Sequence, residues 1–226
     1  MENESIIDTL EYTKSQIERI TDQISIGKLA KVELKNILEN LRSVLDYLSG
    51  DILSSLKRKT KSIKLPDKVY FPYGQRENHF KKSIKRNLPS LKEEIPEIYN
   101  LLRNIQPFVS NDNWVVDLCS LTNDAKHNQL SKTINKKSIM TRIGRSFKIS
   151  GAHNVFKNNY ENGRKLDDVV TDESGMPHVI KANSFNTSFI VENRIRFEGK
   201  EIEVLPFLLK CHTNILQLTK KIKVFI

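Results

Sequence analysis

Asn123, Asp124, Lys126 and His127 stand together near the end of an otherwise apolar stretch, WVVDLCSLTNDAKHNQL, residues 114–130. On a helix, Asn123 and His127 lie one turn apart, and Asp124 is also a neighbour of His127. Histidine is the side chain whose ordinary titration falls near neutral pH, so His127 is the natural acid/base of such a group. Upstream, Arg42 and Asp46 are one turn apart in LRSVLDYLSGDI, at the edge of the stripe made by Leu34, Leu38, Leu41 and Leu45. If the two helices face each other, Arg42, Asp46, Asn123, Lys126 and His127 form one polar network. In a functional arrangement Arg42 and Asp46 would face Asn123, Lys126 and His127 and would shift the titration of His127. In a structural arrangement the same residues would satisfy one another and fix two helices in register. A histidine at a helix C-terminus also interacts favourably with the helix dipole without any further task.

The elements that must position these groups are helical. Ile6, Leu10, Thr13, Ile17, Ile20 and Ile24 alternate spacings of four and three, the seam of a helix packed lengthwise on a partner. Gly27 ends it. Leu34, Ile37, Leu38, Leu41, Leu45 and Leu48 mark a second helix; Gly50 is a possible break, and Ile52, Leu53 and Leu56 would prolong it. Residues 57–75 read as a loop, 79–86 as a short helix, and Pro96 as the first-turn residue of a helix to about residue 106. The 114–130 helix carries Val115, Leu118, Cys119, Thr122 and Ala125 on its apolar face.

From residue 138 the period changes. Ile139, Ile143, Phe147 and Ile149 fit short strands, and residues 151–177 read as polar loop. Phe185, Thr187, Phe189 and Val191 alternate as a half-buried strand that Ile195 and Phe197 continue. Glu198, Gly199 and Lys200 form a turn, with a return strand through Ile202 and Val204. Leu208, Cys211, Ile215, Leu218 and Ile222 then mark a closing helix. The expected fold is α+β and mostly α: an antiparallel helical bundle (1–137), a small antiparallel β insertion (138–204) and a C-terminal helix (205–226) returning to the bundle.

With 226 residues and 38% hydrophobic content, the chain can bury a real core. Its formal net charge of +10 gathers in runs: Lys57, Arg58, Lys59, Lys61 and Lys64; Lys81, Lys82, Lys85 and Arg86; Lys136, Lys137, Arg142, Arg145 and Lys148; Lys220, Lys221 and Lys223. Such runs are solvated faces or the footprint of a polyanion: RNA, DNA or an anionic lipid surface. The exposed seam of the first helix also permits a homodimer. Cys119 and Cys211 sit in apolar helical patterns and read as reduced core thiols. The opening MENESIIDTLEYTK has no apolar leader region, and no apolar run nears the ~20 residues that span a bilayer. A cytoplasmic protein without a membrane partner is expected. No HxxxH, HExxH, CxxC or DxD spacing suggests a metal. No GxxxxGK[ST], GxGxxG or GxSxG suggests a nucleotide loop or acyl transfer, so no cofactor is expected.

Four blocks, in order, carry a resemblance: LRSVLDYL (41–48), FPYG with HF (71–80), IQPF (105–108) and LTNDAKHNQL (121–130). Together they resemble a group of bacterial helical proteins of the HEPN-like superfamily, over roughly residues 34–130. The resemblance implies a helical fold. It also implies, for its catalytic members, a metal-independent ribonuclease of toxin or antiviral systems whose Arg and His assist attack of the RNA 2′-OH on the adjacent phosphate. The usual Arg-x4–6-His spacing does not occur here; the matching positions ahead of His127 are Ser120 to Thr122. Two readings follow. One is a non-catalytic HEPN-like scaffold or partner-binding protein that holds RNA. The other is an endoribonuclease of a defence or stress system using His127, with Arg42 or Lys126 in place of the missing arginine.

Overall fold

The computed structural model describes residues 2–60, 66–127, 133–184 and 186–226, with side chains except those of residues 2–4, 125–127 and 136. The described elements are α1 (Glu2–Ser25), α2 (Lys31–Lys59), α3 (Glu77–Asn87), α4 (Leu91–Glu94), α5 (Pro96–Asn104), α6 (Pro107–Ser110) and α7 (Trp114–His127), then β1 (Thr133–Ile143), β2 (Phe147–Ser150), β3 (Val155–Phe156), β4 (Tyr160–Glu161), β5 (Arg164–Lys165), β6 (Asp168–Thr171), β7 (Pro177–Lys181) and β8 (Thr187–Phe197), and finally α8 (Val204–Ile222). The protein is α+β and mostly helical, with antiparallel strand pairs between the helices and a helix after them. No helix among the described residues is long and apolar enough to cross a membrane.

The chain divides into two compact units. One holds residues 1–22, 29–132 and 197–226; the other holds residues 23–28 and 133–196.

In the helical unit α2 is the central element and packs on α7, α8 and α4. Leu34, Ile37, Leu38, Leu41, Val44, Leu45, Leu48, Ile52 and Leu56 are all at most 1% exposed, so α2 is buried along its whole length. Each such side chain contributes roughly 1.5–3 kcal/mol when taken from water. Gly50 does not break the helix. Burial on both sides of it outweighs the ~1 kcal/mol helix cost of glycine. The α1 seam of Ile6, Leu10, Thr13, Ile17, Ile20 and Ile24 is likewise buried. Asn40 donates to Gln16 at 2.9 Å, and the His212 ring meets the Leu10 carbonyl at 3.0 Å, tying α1 to α2 and α8. The seam is therefore buried and is not the exposed face expected from the sequence. The α8 stripe of Leu208, Cys211, Ile215, Leu218 and Ile222 is buried as well. Asp112 fixes the start of α7, accepting the Trp114 N–H at 3.2 Å and pairing with Lys210 of α8 at 2.7 Å.

In the strand unit, sheets run in the orders β2-β1-β8, β3-β6-β7 and β4-β5. Ile143, Phe156, Leu166 and Val169 form its small core, flanked by Phe147 and Ile149. Strand structure begins at Thr133, five residues before the period change in the sequence. Residues 151–177 are not a plain loop: they contain β3, β4, β5 and β6. Polar side chains hold these short strands. Asn154 donates to the Ser150 and Gly151 carbonyls, and Asp172 accepts the Ser174 and Met176 N–H groups. The expected return strand at Ile202 and Val204 does not form either. The Ile202 carbonyl accepts the Phe197 N–H at 3.0 Å to close the turn, and Val204 starts α8.

Candidate functional site

Arg42 and Asp46 are one turn apart on α2, and their side chains form an ion pair at 3.3 Å, the arginine 13% and the aspartate 26% exposed. Neither stops there. Arg42 Nη1 donates to the sulfur of Cys119 on α7. The guanidinium carbon also lies 5.2 Å from the ring centroid of Tyr73, a cation–π contact. Asp46 Oδ1 accepts the backbone N–H of Phe71 at 2.7 Å. The segment before α3 is thus fastened to α2 by a carboxylate and overlaid on its arginine.

Tyr73 links this pair to α7. The Asn123 side chain stands beside the Tyr73 hydroxyl as a donor that favours the ionised form. Burial raises the Tyr73 hydroxyl above its ordinary value, and Arg42 and Asn123 pull the other way. The phenol is neutral at neutral pH. Burial pushes the Cys119 thiol up from 9.0 to about 12, against the opposing pull of Arg42. The sulfur that meets the guanidinium is therefore a thiol and not a thiolate nucleophile.

The FPYG segment is anchored a second time. Gly74 donates its N–H to Gln106 Oε1 at 3.0 Å, and Gln106, which is fully buried, donates in turn to the Leu102 carbonyl at 2.8 Å. A methyl group on Gly74 would stand 2.4 Å from the Phe80 nitrogen, so only glycine lets the segment lie this close to the first turn of α3. Phe71 is 1% exposed, which seals the apolar side of the segment.

Of the five residues singled out in the sequence, the structure thus brings Arg42, Asp46 and Asn123 into one network. Arg42 and Asp46 reach Asn123 through Tyr73 and not directly. Lys126 and His127 are on the last turn of α7, and their side chains lie outside the described residues. Asp124 is exposed. Tyr73 and Cys119 were missed. Cys119 carries a signal, since it precedes Asn123 by four residues on α7 and must share its side. Tyr73 lies in a segment without periodicity, so only its place in the FPYG block could have marked it.

Chemically, the arrangement is closed around its cation. The guanidinium meets a carboxylate, a sulfur and a ring face, and the carboxylate meets a backbone donor. A recess of 200 Å³ reaches Asp46 from beside Tyr47, Gly50 and Asp51, below the ~300–1,000 Å³ of usual small-molecule sites. Among the described residues, no three His, Cys, Asp or Glu side chains come together as a metal site. No family model, curated protein or solved structure matches the chain.

Proposed function

We propose that the chain is a non-catalytic HEPN-like scaffold: an antiparallel helical bundle held in register by the Arg42 network, which binds RNA through its basic surface. The observation that carries this reading is the occupancy of Arg42. A cation kept for a phosphate needs donors facing open space, because guanidinium recognises oxyanions through its planar fork. Here that group is 13% exposed and meets Asp46, Cys119 and Tyr73. The endoribonuclease reading with His127 would need Arg42 released from all three, or Lys126 in its place.

RNA would contact α3. Lys81, Lys82, Lys85 and Arg86 are exposed there, and the only one of them in an ion pair among the described residues is Lys81, with Glu77 at 3.3 Å. The test is polarisation of a labelled single-stranded RNA titrated at several salt concentrations with wild type and a Lys82→Gln/Arg86→Gln variant. Both positions are on the surface, so the fold should hold. The variant should bind more weakly, and its salt slope should fall by about one for each phosphate it no longer neutralises. Equal binding and equal slope would remove RNA from this face of the scaffold.

A further inference from the structure

The strand unit contains a polar cleft of 710 Å³ whose walls are the β1–β2 turn, the β4–β5 hairpin and the segment following β7. Arg142, Arg145 and Arg164 line it, with Asn162, Ser184 and Asn186 between them. We infer that this cleft is a phosphate-binding site, in which the three guanidinium groups hold the oxyanion and the side-chain amides of Asn162 and Asn186 complete its hydrogen bonding. The inference does not depend on the scaffold reading, which concerns the helical unit.

Three observations carry it. First, the cations are only lightly engaged within the fold, Arg145 adding a Coulombic pull on Glu161. Among the described residues none of the three guanidinium groups belongs to an ion pair, and the one side-chain bond among them is Arg142 to the Arg145 carbonyl at 3.1 Å. Three like charges around one cleft repel one another, and an anion between them removes that cost. Secondly, the acid in the lining is turned to structural work. Glu161 accepts the N–H of Arg145 at 3.0 Å and of Ser146 at 2.9 Å. The Ser146 hydroxyl and the Arg145 N–H hold its carboxyl below the ordinary carboxylate range. Gly144 at φ +63 allows the close approach, since a Cβ there would meet Glu161 at 2.7 Å.

Thirdly, the opposite wall is built in advance. Asp167, 2% exposed, accepts the N–H groups of Asn183 and Ser184 at 2.7 Å each and the Thr187 hydroxyl at 2.8 Å. The Asn186 carbonyl accepts the Gly144 N–H at 3.0 Å, joining that wall to the arginine turn. A wall fixed before the ligand arrives costs little ordering on binding. Among the described residues the lining is polar apart from one apolar side chain, Leu166. Three guanidinium groups present planar forks suited to an oxyanion, so the group recognised is the phosphate. It belongs either to an RNA backbone or to a free phosphate compound.

The test uses the full chain, with Arg145→Gln/Arg164→Gln against wild type and Arg145→Lys/Arg164→Lys as the charge-keeping control. Thermal melts check folding. One arm titrates labelled single-stranded RNA; the other titrates pyrophosphate by calorimetry. The glutamine variant should lose about tenfold or more in affinity in at least one arm, the lysine variant less, because ammonium lacks the fork. Loss in the RNA arm assigns a phosphodiester backbone. Loss in the pyrophosphate arm alone assigns a free phosphate compound. If wild type binds neither, or the glutamine variant binds both as wild type does, the inference is overturned.

Discussion

Asp46 Oδ1 receives the backbone N–H of Phe71 at 2.7 Å while Arg42 on the same helix holds the same oxygen at 3.3 Å. One carboxylate oxygen thereby joins a helix to a segment 25 residues further along the chain. An exposed i,i+4 ion pair alone would contribute a few tenths of a kcal/mol. The stabilising part of this arrangement is the charged acceptor on a half-buried N–H.

Asp46→Ala should therefore cost about 1–3 kcal/mol in urea unfolding, because the Phe71 N–H and the Arg42 guanidinium both lose their partner. Asp46→Asn keeps an acceptor oxygen and should cost less than the alanine change. A surface-like loss of a few tenths for Asp46→Ala would mean that the segment is held by something else.

Gly74→Ala should lower the melting temperature although it deletes no polar group from the network. The added carbon would sit 2.4 Å from the Phe80 nitrogen, so the segment or α3 must shift. Overpacking of this kind costs about 1–3 kcal/mol. A melt equal to wild type would show that these two backbones do not approach so closely.

The two thiols give a pH dependence with a definite sign. Burial raises Cys119 from 9.0 to about 12 and raises Cys211 well above its ordinary value. The folded chain then keeps protons that the unfolded chain releases. The stability this contributes is fully present below about pH 9 and declines as pH climbs toward 12. Tyr73, raised from 10.0, adds to the same alkaline decline. Urea midpoints should fall between pH 8.5 and about 10.5, and a Cys119→Ala/Cys211→Ala variant should fall less steeply. Both thiols should also resist a thiol reagent at neutral pH until urea unfolds the chain. Rapid labelling of native protein would contradict their burial.

Much of the helical unit was legible because burial on one side of a helix writes a three-and-four spacing into the sequence. The seam of Ile6 to Ile24 and the stripe of Leu208 to Ile222 are examples, and both are buried as spaced. The pair Arg42 and Asp46 was legible for the same reason. The strands of residues 155–171 were not. Two-residue strands are too short to show a period of two, and side-chain bonds from Asn154, Asp167 and Asp172 hold them instead of an apolar face. Tyr73 was hidden likewise, since its contacts with Arg42 and Asn123 come from where the segment crosses two helices, which no local spacing records.

The scaffold reading is tested most directly by cleavage of single-stranded RNA in the absence of metal, with wild type and His127→Ala side by side and a thermal melt of each. A non-catalytic scaffold should show no cleavage by wild type above that of His127→Ala, with Arg42 retained by Asp46, Cys119 and Tyr73 in both. Cleavage by wild type that disappears in an equally stable His127→Ala protein would contradict it and assign the catalytic role to His127.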